Sequence, residues 1–211
     1  GDRIFENTGR VQAISSGGSA IGVSLASGGG AFNSGDILAT GATRATAVQI
    51  NRNGQFENTG RIEALQTDNV ISQATAAILM TGISQDSQII NRGTITGRVA
   101  ISVLDEFGSN FGTEIDIRNE TGATIAGDLR LAGTRDIIIN RGTITGNVDL
   151  GAGDDVFDSR NGTFTGQRVG VQTGAINGGD FGRAYALWLD GGSASGQSLQ
   201  QFAAGFTDTT G

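Results

Sequence analysis

The feature that most constrains this chain is a phrase that occurs seven times along it, two of them as variants. Its form is Asn-x-Gly-x-(Ile/Val)-x-(Ala/Gly), first at Asn7-Thr8-Gly9-Arg10-Val11-Gln12-Ala13, then from Asn33 to Ala39 and from Asn58 to Ala64. It recurs from Asn91 to Gly97 and, word for word, from Asn140 to Gly146. Two variants complete the set. The one from Asn119 to Gly127 carries two extra residues before Thr124-Ile125, and Arg160-Asn161-Gly162-Thr163-Phe164 exchanges the first two positions. Measured between the central apolar residues Val11, Ile37, Ile62, Ile95, Ile125, Ile144 and Phe164, the steps are 26, 25, 33, 30, 19 and 20. A unit of that length cannot bury an apolar face alone, but it can when stacked on copies of itself.

Between the phrases, aliphatic residues alternate with small or polar ones over short runs, as in Thr46-Ala47-Val48-Gln49-Ile50 and Val148-Asp149-Leu150. Period two bounded by Gly, Asn and Ser is the signature of strands. Glycine is abundant (36 of 211 residues), yet apolar residues make up 37% and proline is absent, which opposes a disordered linker. The reading is all-β: a parallel β-solenoid, right-handed, with three short strands in each of seven to eight coils. At roughly 4.8 Å per coil it makes a rod roughly 35–40 Å long. Insertions at 65–76 and 105–114 leave it as loops.

Stacking predicts files of like residues. Val11, Ile37, Ile62, Ile95, Ile125, Ile144 and Phe164 form an inward core file. Asn7, Asn33, Asn58, Asn91, Asn119 and Asn140 form a second file at a turn, because an amide both donates and accepts and tolerates left-handed backbone angles. The glycine two residues on supplies a bend where a Cβ would clash. Outside, Arg92, Glu120 and Arg141 occupy one slot in successive repeats, and Arg130 is expected beside Asp149. Exposed pairs of this kind contribute about 0–1 kcal/mol each, so they set register more than stability.

The run Asn140-Arg-Gly-Thr-Ile-Thr-Gly-Asn-Val-Asp-Leu-Gly-Ala-Gly-Asp-Asp-Val-Phe resembles the passenger domains of Gram-negative autotransporters and related secreted β-helical adhesins. The resemblance spans about residues 2–190. It implies an extracellular or cell-surface location on a Gram-negative bacterium.

The composition excludes several chemistries. With no Cys and no His there is no zinc finger, disulfide framework, cysteine nucleophile or Ser-His-Asp triad. All 14 basic residues are arginine, and the net charge of −7 argues against a nucleic-acid surface. No apolar run approaches the roughly 20 residues of a membrane span. No cofactor is expected apart from calcium. Gly151-Ala152-Gly153-Asp154-Asp155 resembles one calcium-binding nonapeptide, with Asp154 and Asp155 as candidate ligands. A working site needs consecutive copies, and a tight solvated turn is the better reading.

Two further surfaces draw notice. Thr94/Thr96, Thr143/Thr145 and Thr163/Thr165 flank inward residues, so their hydroxyls point outward in a ladder. Flat threonine arrays of this kind let solenoid proteins match an ice lattice, although threonine suits any solvent-facing strand. Asp149, Asp154, Asp155 and Asp158 form the one dense acidic cluster, the place where a polysaccharide-cleaving enzyme would carry its carboxylates. No opposing acid or basic partner is evident, and solvated turn acids fit better.

The solenoid is expected over 1–190. In 191–211, Leu199, Phe202, Ala203 and Phe206 fall at helical spacing, with Ser195 or Ser198 as a cap, which predicts a short helix that covers the open end or docks into another subunit. Soluble solenoids blunt their strand edges with Lys, Pro, bulges or a helix. Neither Lys nor Pro occurs here. The expected function is therefore a non-catalytic structural subunit of a surface fibre or adhesin, joining copies head to tail. The alternative is a stalk or passenger of a larger adhesin whose inserted loops contact a cell-surface glycan or another surface protein.

Overall fold

The computed structural model describes residues 3–26, 29–51, 54–68, 75–82, 86–104, 114–131, 133, 135–151, 155–159, 161–166 and 193–195. Over these residues the chain is all-β, with 19 strands and no helix. Every strand pairing is parallel.

The strands that enter each Asn-x-Gly turn assemble one sheet, here sheet A. In order these are β1 (Arg3–Asn7), β4 (Gly30–Asn33), β7 (Gln55–Asn58), β10 (Ser87–Asn91), β12 (Glu114–Asn119), β14 (Arg135–Asn140) and β17 (Val156–Asp158). The strands that leave the turns form the main path of sheet B. They are β2 (Arg10–Ser15), β5 (Asp36–Gly41), β8 (Arg61–Gln66), β11 (Thr94–Leu104), β13 (Thr124–Arg130), β15 (Thr143–Thr145), β18 (Thr163–Thr165) and β19 (Ser193–Ser195). A branch of sheet B pairs β3 (Ser19–Leu25) with β6 (Arg44–Asn51), β6 with β9 (Ala76–Thr81), and β9 with the second half of β11. Likewise β16 (Val148–Asp149) pairs the second half of β13.

Three separate strands per repeat therefore hold in the first three repeats and in the sixth, which has β14, β15 and β16. In the fourth and fifth, β11 and β13 each run through the bend as one strand. The register between them slips twice, between Thr96 and Val99 and between Val99 and Ile101, which lets a single strand serve two neighbours.

Register aligns like with like. In sheet A the inward file is Phe5, Ala31, Phe56, Ile89, Ile117, Ile138 and Phe157. In sheet B it is Val11, Ile37, Ile62, Ile95, Ile125, Ile144 and Phe164. A third file runs Val23, Val48, Ile78, Ile101, Leu129 and Val148. All three meet in one continuous core. Ile37, Ile62, Ile95, Ile125 and Ile144 are fully buried, Phe164 nearly so, and Val11, on the outermost strand of the path, is half-buried. The Phe157 and Phe164 rings meet edge to face, 5.1 Å between centroids, across the gap between the two sheets.

Glycine follows the stacking as strictly. A Cβ at Gly93 would overlap the carbonyl oxygen of Gly60, one at Gly60 that of Gly35, and one at Gly35 that of Gly9. The requirement is close approach between neighbouring repeats, not backbone angle, because none of these four has positive φ.

Two features were not visible from alternation alone. Every residue of β9 is buried on both faces, and Ala76, Leu79 and Val99, with Leu104 against them, form a second apolar cluster apart from the main core. Asp136 is fully buried, in the same inward file as Ser87 and Ile115. At the other end of the chain, Ser193–Ser195 extend the sheet beyond position 190 by pairing with β18. Ser195 is the last residue of this strand, while Ser198 and the helix expected over 199–206 lie outside the described residues.

Candidate functional site

The asparagines expected at the turn occupy one file, each fully or nearly buried. Asn7 Nδ2 donates to Asn33 Oδ1 at 2.7 Å, Asn33 to Asn58 at 2.7 Å and Asn58 to Asn91 at 2.9 Å. Asn91 donates to Asn119 and Asn119 to Asn140, both at 2.8 Å. The direction never reverses. Each Nδ2 also reaches a backbone carbonyl, such as Thr124 O from Asn91 and Thr143 O from Asn119, both 3.1 Å away. A buried amide so engaged has few polar atoms left unsatisfied.

The seventh position of this file belongs to Ser159. Asn140 Nδ2 donates to its Oγ at 2.8 Å, and Ser159 is fully buried. This corrects the reading of 160–164 as a phrase with its first two positions exchanged. The phrase begins at Ser159 and carries one inserted residue before Gly162, and a hydroxyl accepts the incoming bond as an amide oxygen does. The signal was the register of Asp158 opposite Ile139, which composition does not reveal.

The outward faces differ in chemistry. On sheet A one file runs Glu6, Phe32, Glu57, Ile90, Arg118, Ile139 and Asp158, so charged and apolar residues alternate along the axis and like charges are never adjacent. Beside it, Gln55 donates to Gln88 and Gln88 to Asp116, each at 2.8 Å. Asp116 also faces Arg118 at 2.9 Å, and that hydrogen bond raises the guanidinium above its ordinary pKa. Arg92 does not pair along the slot it shares with Glu120 and Arg141. Its partner is Glu57, on the preceding strand of sheet A. Arg130 does lie opposite Asp149, but its ion pair is with Asp128 on its own strand, at 3.1 Å. In both cases a carboxylate outside the expected slot lies within reach of the flexible arginine.

Of the acids weighed as calcium ligands or catalysts, Asp154 lies outside the described residues. Asp155 Oδ1 accepts the backbone N–H of Asp136 at 3.0 Å, and Asp149 Oδ1 accepts that of Gly151 at 3.0 Å, where φ is +73°. Asp149 thus closes a local turn, and Asp155 ties its repeat to the preceding one. Among the described residues no group of three or more His, Cys, Asp or Glu is placed to hold a metal ion, and no helix is long and apolar enough to cross a membrane.

The outer edges of β1, β2 and β3 have no strand partner among the described residues. Accordingly Phe5, Val11, Ala13 and Val23, which begin their inward files, are half-buried, and Ile21 is 40% exposed. On the outward face nearby, Ile14 and Leu65 are 67% and 52% exposed. Comparison with family models, with curated proteins and with solved structures gives no match to this chain.

Proposed function

We propose that the chain is a right-handed parallel β-solenoid that serves as a non-catalytic, extracellular structural subunit of a cell-surface fibre or adhesin, joining copies end to end. The observation that carries this reading is the stacking of like on like: Asn58-Thr59-Gly60-Arg61 lies on Asn33-Ser34-Gly35-Asp36, and that on Asn7-Thr8-Gly9-Arg10, in one register. A repeat that stacks on its own kind presents the backbone groups and apolar residues with which a further repeat of the same kind pairs. A contact between unlike ends does not close on itself, so it extends into a filament. Sedimentation velocity and electron microscopy over a range of concentrations test this. Rods that lengthen with concentration support it, and monomers at every concentration remove the end-to-end association.

A second reading, a stalk or passenger of a larger adhesin, is favoured by the cluster of Ala76, Leu79, Val99 and Leu104, which lies at the roots of both inserted segments. Ligand contacts on those segments would include a cell-surface glycan. Glycan-array signal that vanishes when 69–74 and 105–113 are trimmed, leaving β8, β9 and β12 whole, supports it, and signal unchanged by trimming removes it.

A further inference from the structure

On its outward side sheet B divides into two chemical zones. In the first three repeats the positions flanking the inward residue hold Arg10 and Gln12, Asp36 and Leu38, Arg61 and Glu63. In the next four they hold Thr94 and Thr96, Thr124 and Ala126, Thr143 and Thr145, Thr163 and Thr165. Register through these four is unbroken, so the residues form two straight files, and the backbone places Ser193 and Ser195 next in each.

Three properties set this zone apart. It carries no charge. Its seven threonines are half-buried or exposed, and none of their hydroxyls has a hydrogen-bond partner among the described residues. Several polar side chains elsewhere on the outer surface are instead tied to one another, as in Arg61–Glu63 and Gln55–Gln88–Asp116. Finally, β-branched side chains on paired strands are stiff at χ1, so the array is ordered before anything binds.

Its dimensions select the ligand. Neighbouring hydroxyls are about 4.8 Å apart along the file of Thr94, Thr124, Thr143 and Thr163, while in the second file Ala126 interrupts the hydroxyls between Thr96 and Thr145; the two files are about 6.7 Å apart, twice the rise per residue. Water oxygens hydrogen-bonded at about 2.75 Å in a tetrahedral lattice have second neighbours about 4.5 Å apart. Along the stacking axis of hexagonal ice the repeat is eight-thirds of that bond, about 7.3 Å. The misfit is about 0.3 Å per step along a file and about 0.6 Å across. Over the three steps of the described zone it accumulates to about 0.9 Å, within the reach of a rotating hydroxyl. We infer that the outward threonine face of β11, β13, β15 and β18 binds ice, holding its water oxygens in register with the two files. This is independent of the end-to-end association proposed above.

The test is incorporation into a slowly grown ice hemisphere. The chain has no lysine, so an amine-reactive dye labels the N-terminal amine alone. The labelled 211-residue chain is expected to enter the ice along defined crystal planes. Thr145→Tyr with Thr165→Tyr should lower the incorporated dye at least ten-fold, with circular dichroism and melting temperature unchanged. Gln12→Tyr, outward in the other zone, should enter as the parent does. If the tyrosine pair melts early, Thr145→Arg with Thr165→Arg is used instead, since arginine already stands outward on this sheet at Arg10 and Arg61. Exclusion of the parent chain from ice overturns the inference, as does equal incorporation of the folded double variant. Retention on microcrystalline cellulose or chitin without entry into ice overturns it in favour of a polysaccharide.

Discussion

Asn91 Nδ2 donates to Asn119 Oδ1 at 2.8 Å, joining turns 28 residues apart in the chain. The same amide accepts from Asn58 at 2.9 Å, so Asn91 links three successive repeats while remaining fully buried.

Asn91→Leu removes these bonds and leaves Asn58 Nδ2 and Asn119 Oδ1 each without its file partner. Leaving buried polar groups unsatisfied costs about 1–3 kcal/mol for each group, so a loss of about 2–6 kcal/mol is expected in urea unfolding. Asn91→Asp keeps the shape. Burial raises a carboxyl above its unfolded pKa of about 3.9, so the protonated form, which donates, is the better tolerated one. The stability of this variant is therefore highest below about pH 4 and falls as pH rises through the folded pKa. A flat profile relative to the parent would contradict the placement.

The two ends of the glycine file should respond differently. Gly93→Ala drives a Cβ into the Gly60 carbonyl, whereas a Cβ at Gly9 meets nothing within 4 Å. Gly93→Ala is expected to cost at least about 2 kcal/mol, since the clash is with backbone that other repeats hold in place. Gly9→Ala is expected to fall within about 0.5 kcal/mol of the parent, or to gain slightly from the unfolded state. Thermal unfolding of the two variants side by side checks this.

Much of this arrangement was legible in the chain because the phrase repeats the residues that stacking most constrains. An amide that must donate upward and accept from below is hard to replace, and a glycine pressed against a carbonyl is harder still. Ser159 was missed because it lies outside the phrase as spelled, though it performs the same hydrogen bonding. The second cluster around Leu79 was missed for another reason. Where both faces of a strand are covered, alternation disappears, and Ala76-Ala77-Ile78-Leu79-Met80 reads as one apolar run. The charge partners of Arg92 and Arg130 were read from slot alone, which ignores how far an arginine reaches.

The second cluster makes its own prediction. Leu79→Ala is expected to cost about 2–4 kcal/mol, as much as Ile95→Ala in the main core, because both side chains are almost fully enclosed. Leu65→Ser, at a position 52% exposed, is expected to change stability by no more than about 0.5 kcal/mol. Chemical denaturation of the three variants provides the comparison, and a Leu79→Ala loss near that of Leu65→Ser would argue that the outer face of β9 is open.

The Asp155 carboxylate accepts the backbone N–H of Asp136, so it ties one repeat to the preceding one. Asp155→Ala is expected to lose about 1 kcal/mol, and Asp155→Asn, which keeps an acceptor, to lose less. Melting in millimolar calcium and in chelator should give the same difference between the variants. A gap that opens with calcium would assign the carboxylate to an ion instead.

The central claim is that equivalent residues of successive repeats lie one strand spacing apart along a single axis. The chain lacks cysteine, so paired nitroxide labels can be placed cleanly in the file Arg10, Asp36, Arg61, Thr94, Thr124, Thr143 and Thr163. Pulsed electron–electron resonance between Arg10→Cys and Thr163→Cys spans six steps, for which the account predicts a narrow distribution centred near 29 Å. Shorter pairs should contract by about 4.8 Å per step removed. A broad distribution, or a distance that does not scale with the number of steps, would contradict it.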